Sequence, residues 1–140
     1  MSDRYFLDSN VLIYSFDETD LAKAQRADEL IAEALATNNG VISYQVVQEF
    51  FNFAFRRAVR PMKVADAEEY LNTVLRPLLF VHSSSGLYVE ALHLHGRYQL
   101  AWYDSLIIAA ALQANCDILY SEDLQNGQRF GQTKVKNPFI

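Results

Sequence analysis

Short apolar runs of strand length alternate along this chain with apolar stripes of helix length, and several of them stop at an acid. Tyr5-Phe6-Leu7 runs into Asp8, and Ile118-Leu119-Tyr120 runs into Ser121, Glu122 and Asp123. Residues 105–112 are apolar nearly all round as a helix, and Asp104 opens them. A helix without a polar face has to be covered on every side. Strands interleaved with helices select a mostly parallel sheet with helices on both faces. The expectation is an α/β fold: a three-layer α/β/α sandwich with a mostly parallel central sheet. In such sheets ligands bind beyond the carboxyl ends of the strands, where Asp8 and Asp123 fall.

The pattern predicts strands over residues 4–7, at Val41-Ile42, over 78–82 and over 118–121, with Val135 adding a short last one. A short helix is expected near residues 10–16. A longer one over 21–36 carries the stripe Leu21, Ala24, Ala27, Ile31 and Leu35, with Asp20 as its N-cap and Asn38-Asn39-Gly40 as its stop. Ser43 caps a helix reaching about Arg57. Pro61 breaks the chain, and a helix over 63–75 ends before Pro77. Residues 87–98 and 102–115 are helical. The segment from Gln125 to Gln132 reads as a polar loop.

At 140 residues the chain forms a single domain, 1–140. Its 51% apolar residues can fill a core without disulfides, and the one cysteine, Cys116, lies in an apolar stretch as a small buried thiol. No secretory leader and no membrane span is legible, so a cytoplasmic location is expected. The net charge of −5 argues against broad electrostatic binding of nucleic acid. A cluster of metal-binding acids lowers that count by itself, so a phosphodiester substrate reached through metal ions stays open.

Each acid also has an ordinary reading. Asp8 and Asp104 are natural helix caps, and Asp123 suits a turn. Glu49, within Gln45-Val46-Val47-Gln48-Glu49-Phe50-Phe51-Asn52-Phe53, could be a boundary residue. It shares a polar stripe with Gln45, Gln48 and Asn52 that faces either water or a cleft. Asn10 could orient a ligand or a water, and Ser121 could hold a carboxylate. Glu122 ranks below Asp123. Converged carboxylates repel unless they share protons or bind a cation, so their common placement points to a divalent-metal site.

The ordered set Phe6-Leu7-Asp8-Ser9-Asn10-Val11-Leu12, then Glu49, then Trp102-Tyr103-Asp104-Ser105-Leu106-Ile107-Ile108-Ala109-Ala110-Ala111, then Leu119-Tyr120-Ser121-Glu122-Asp123-Leu124 resembles the motifs of PIN domains. It is most similar to the VapC-type toxins of bacterial toxin–antitoxin pairs. The resemblance spans Tyr5 to Phe139. It implies a metal-dependent endoribonuclease that inhibits translation, with Asp8, Glu49, Asp104 and Asp123 as the acidic set. Asp8, Asp104 and Asp123 would hold Mg²⁺ or Mn²⁺, with Asn10 and Ser121 in support. A Thr is common where Ser121 stands, and both supply a hydroxyl. The implied partners are an RNA substrate, a small antitoxin and a second copy of the chain.

Arg56, Arg57 and Arg60 form a basic cluster near Lys63 that either complements a helix end or guides an RNA backbone. Phe50, Phe51, Phe53 and Phe55 read mostly as core. His82, His93 and His95 read as surface or packing residues. Competing functions are a housekeeping PIN nuclease without an antitoxin, a catalytically silent binding module, and a phospho-aspartyl phosphatase. The last usually needs an acid where Asn10 stands.

Overall fold

The structure, a computed structural model, describes residues 3–140. Six strands form one sheet in the order β3-β2-β1-β4-β6-β5. They are β1 (Tyr5–Leu7), β2 (Gly40–Ser43), β3 (Leu79–Val81), β4 (Ile118–Tyr120), β5 (Arg129–Phe130) and β6 (Thr133–Lys136). All neighbours are parallel except β5 and β6, which pair antiparallel. The central strands are buried on both faces, as parallel strands under helices must be. The expected mostly parallel, helix-flanked sheet is therefore present.

The strand order reverses at β1. The connections β1→β2→β3 step outward one way, and β3→β4 returns to the other side of β1. With right-handed crossovers, the helices of these two sets lie on opposite faces of the sheet. The first set holds α1 (Ser9–Tyr14), α2 (Leu21–Thr37), α3 (Tyr44–Asn52), α4 (Val64–Tyr70) and α5 (Arg76–Leu78). The second holds α6 (Ser85–Tyr98) and α7 (Trp102–Gln113). Ser105 through Ala111 of α7 are all buried, which explains a run with no polar side. The reversal leaves a switch point between β1 and β4, the place where ligands enter sheets of this kind.

Local deviations from the sequence reading have physical causes. On α2 the buried face is Ala27, Leu30, Ile31 and Ala34, while Leu21, the first residue of the helix, is exposed. Asn38, at φ 60°, is the left-handed stop of α2. Gly40 instead begins β2, where a Cβ would meet the Ala34 Cβ at 2.3 Å. The helix after Ser43 runs as α3 and then widens into a π-helical turn, Phe53–Arg57; the Ser43 hydroxyl makes no cap bond. A second π-helical turn, Leu71–Leu75, ends at the expected stop, but α5 continues the helical path through Pro77. Pro77 then falls in the first turn of α5, where its missing N–H breaks no helical bond. The segment expected as a loop contributes β5, whose Phe130 is buried against Tyr98. Cys116 is a buried free thiol, pushed up to about 12 by burial. Among the described residues no helix is long and apolar enough to cross a membrane.

Candidate functional site

The turn after β4 and the start of α1 meet at the switch point because of register. Leu7 pairs with Tyr120, and the Asp8 amide donates to the Tyr120 carbonyl at 3.0 Å. Asp8 caps α1 through Oδ1, which accepts from the Ser9 amide at 2.7 Å. Its Oδ2 accepts from the Ser121 hydroxyl at 2.8 Å. Asp8 therefore gives one oxygen to the cap and the other to Ser121.

Ser121 is fully buried and joins the pieces. Besides donating to Asp8, its Oγ accepts from the Asp123 amide at 3.1 Å and from Asn10 Nδ2 at 3.4 Å. One donor and two acceptor positions are the full capacity of a hydroxyl. Asn10 is also buried; its Nδ2 reaches Asp123 Oδ2 at 3.3 Å, and its Oδ1 accepts from the Glu122 amide at 3.4 Å. These last contacts are long and individually weak, but they tie α1 to the turn along its length.

Burial pushes the Asp8 carboxyl up to about 7. The bonds from Ser121 and Ser9 oppose that rise, and the nearby charges of Glu49 and Asp123 add to it. Burial, and then the charge of Asp123, also raises Asp104. Acids from β1, α3, α7 and the β4 turn thus share one electrostatic field. The ion pairs among the described residues are Lys23–Glu122, Arg26–Glu29 and Arg60–Glu18, and they leave all four acids out. The acids form a gradient, with Asp8 buried, Glu49 and Asp104 half-buried and Asp123 exposed. Among the described residues no three His, Cys or acidic side chains close to the spacing of a metal cage.

The polar stripe of α3 divides. Gln48 and Asn52 face water, Glu49 is half-buried, and Gln45 is only 4% exposed. Gln45 Nε2 reaches Glu49 Oε2 at 3.4 Å and the Tyr103 carbonyl at 3.2 Å, so it bridges α3 to the start of α7. The Tyr103 carbonyl can only accept, which fixes the amide orientation and leaves Gln45 Oε1 without a partner. Gln45 has site contacts that its sequence position alone did not single out. Its place one turn before Glu49 was the available signal.

Compared with protein-family models, residues 5–128 match the one described as the PIN domain. The chain belongs to the PIN domain family. No curated protein matches it by sequence. Solved structures with the same fold include "Structure of FitAB bound to IR36 DNA fragment", with TM-score 0.68 and 16% identity over 97% of this chain and 96% of that one. The sarcin–ricin loop cleaving toxin VapC20 of Mycobacterium tuberculosis gives TM-score 0.65 and 20% identity over 85% and 89%. A toxin–antitoxin complex from Klebsiella pneumoniae gives 0.64 and 18% over 96% and 97%.

In this PIN domain the basic cluster follows α3 in the chain. Arg56 and Arg57 sit on the π-helical turn after α3, and Arg60 pairs with Glu18 on the surface. Arg57 and Arg60 edge a groove of about 490 Å³ whose floor includes Ile13, Phe16, Phe50, Phe53 and Met62. Phe50 is buried, Phe51 and Phe53 are partly buried against the core, and Phe55 is exposed. His82, His93 and His95 are exposed, and His95 Nδ1 lies 2.6 Å from the Leu100 carbonyl oxygen.

Proposed function

We propose that this PIN domain is a divalent-metal-dependent endoribonuclease and the toxin of a toxin–antitoxin pair that inhibits translation in the cytoplasm. The observation that carries the reading is the set Asp8, Glu49, Asp104 and Asp123: four acids from separate elements, electrostatically coupled, with no basic side chain among the described residues paired to them. Likeness to a structure described as a sarcin–ricin loop cleaving toxin, and to toxin–antitoxin complexes, supports the biological context.

The donors fit Mg²⁺ or Mn²⁺, which take hard carboxylate oxygens. Asp8 is the clearest indication, a buried carboxylate that no basic side chain among the described residues pairs with. Asp8, Asp104 and Asp123 would hold the cation, which when bound activates water and offsets charge on the phosphate. Glu49 adds a fourth negative charge, oriented by Gln45. Asn10 and Ser121 fix the directions of Asp8 and Asp123 before any ligand arrives. Water adds to phosphorus and the bond to the 3′-oxygen breaks, leaving 5′-phosphate and 3′-hydroxyl ends. No nucleophilic side chain is needed, and the Ser121 hydroxyl is engaged by Asp8, Asn10 and Asp123.

The groove beneath Arg57 and Arg60 suits the apolar arm of a small antitoxin, with Asp17 and Glu18 on the same rim for its basic residues. Arg56 extends the same positive edge toward RNA, and a homodimer is the assembly we assign. Incubating the purified chain with structured RNA plus Mn²⁺ or chelator tests the activity. Metal-dependent cuts carrying 5′-phosphate ends are expected. Intact RNA under both conditions would leave a silent binding module, and equal cleavage in chelator would remove the metal site. Loss of growth inhibition on co-expressing the neighbouring small reading frame tests the antitoxin; its absence would leave a housekeeping nuclease.

A further inference from the structure

Glu122 lies beside Asp123, yet it is built into a different set of contacts. Its carboxylate accepts the Tyr14 hydroxyl at Oε1 (2.7 Å) and the Lys23 ammonium at Oε2 (2.9 Å). Tyr14 is the last residue of α1, and Lys23 lies in the first turn of α2. The Glu122 amide points the other way along α1, to Asn10 Oδ1 at 3.4 Å. One residue of the turn is therefore attached near both ends of α1. Lys23 also stands over the Tyr14 ring at 4.5 Å, and Phe139 packs edge-on against Tyr14 at 4.9 Å. The C-terminal stretch is held there by Arg26 Nε on the Pro138 carbonyl at 3.3 Å. Half-buried on both partners, this ion pair is better shielded than an open surface pair, whose worth is small.

We infer that Glu122 is a positioning residue, a strap that ties the Ser121–Asp123 turn to α1 and α2 and so aims Asp123 toward Asp8. The inference rests on the metal-site reading above. Two consequences follow from the geometry. With its charge compensated by the Lys23 ammonium, Glu122 is a poorer cation ligand than Asp8, whose oxygens accept only from neutral donors. With its ammonium held by Glu122, Lys23 does not neutralise the acids across the turn. Asp123 is exposed, and its own tethers are Asn10 Nδ2 at 3.3 Å and the backbone bond to Ser121. An exposed acid on a short turn needs such outside anchoring to keep its direction, and residues of this kind typically change metal affinity or activity ~10–100-fold when removed.

The test uses wild type, Glu122→Gln, Tyr14→Phe and the exchanged pair Lys23→Glu with Glu122→Lys. Glu122→Gln keeps an acceptor for Tyr14 and removes the ion pair. In metal-free protein, amide exchange at Glu122 and Asp123 is expected to quicken about tenfold in Glu122→Gln, with the melting temperature nearly unchanged. Mn²⁺ affinity followed by paramagnetic resonance is expected to fall ~10-fold, and kcat to fall with little change in KM. The exchanged pair should recover part of the affinity, and Tyr14→Phe should lose less than Glu122→Gln. Wild-type exchange rates and Mn²⁺ affinity in Glu122→Gln would overturn the strap. Failure of the wild type itself to bind Mn²⁺ would overturn the metal-site reading instead. If Glu122→Gln unfolds, Tyr14→Phe carries the test, and unaltered exchange at Glu122 in that variant would overturn the proposal.

Discussion

The two ends of the parallel strands are built on opposite terms. At the amino end, polar groups are spent on one another. Arg4 Nη1 donates to the Ala114 carbonyl at 2.9 Å, the Asp117 amide to Arg4 at 2.9 Å, and the buried Thr133 hydroxyl to Cys116 at 2.6 Å. The Tyr5 hydroxyl is an exception there. At the carboxyl end, among the described residues, Asp8 is buried with no basic side chain paired to it, and the Ser43 hydroxyl and Gln45 Oε1 find no partner. An end closed on itself serves folding. An end that retains charge and unused acceptors holds free energy that a ligand can release. Substitutions at the two ends should therefore separate activity from stability.

The largest separation is expected at Asp8. Asp8→Asn keeps the shape and the Ser9 cap contact but removes the charge and, because an amide nitrogen only donates, the bond from Ser121. Metal-dependent RNA cleavage should fall by at least ~10²-fold, beyond the usual effect of a mere supporting residue. Stability in chelator should change by no more than about 1 kcal/mol, because the loss of a desolvated charge offsets the loss of the Ser121 hydrogen bond. A drop in both together would erase the contrast. At the amino end, Gly40→Ala forces a methyl group into Ala34, so the melting transition should fall by about 1–3 kcal/mol, as overpacking does. The remaining folded protein should cleave at the wild-type rate. An unchanged melting temperature would show that α2 and β2 approach less tightly than described.

The pH response sharpens the same contrast. The folded Asp8 carboxyl is raised from 3.8 to about 7. Between these values the unfolded chain releases the proton and the folded chain keeps it. Stability is therefore fully present below the lower value and is lost as pH rises toward the upper one. In chelator the slope attributable to Asp8 is at most ~1.4 kcal/mol per pH unit. The difference between wild type and Asp8→Asn in melting series from pH 4 to 8 measures it; parallel curves would contradict a raised Asp8. Thr133→Val gives the smallest effect, about 1 kcal/mol for one buried hydrogen bond. Cleavage should remain intact, and an activity loss would mean that the ends are coupled.

The sequence showed the acids and the alternation of elements because both are local patterns. Tyr5-Phe6-Leu7 before Asp8 reads as a buried strand with an acid at its end, and that is where it stands. Relations between distant segments could not be read. Leu21 fits the α2 stripe by spacing yet lies in water, since spacing says nothing of which turns are covered. Pro77 reads as a helix stop, but a π-helical turn resets the ladder ahead of it. Phe130 belongs to a two-residue strand too short to show alternation. The Glu122 contacts to Tyr14 and Lys23 join residues about a hundred positions apart, and only the fold reveals them.

The central claim is that the carboxyl end of the sheet retains its charge for a divalent cation. Calorimetric titration of Mn²⁺ into wild type and Asp8→Asn at neutral pH tests it most directly. Saturable binding in the wild type that is lost in Asp8→Asn is predicted. Equal binding by both proteins, or none by the wild type, would contradict it.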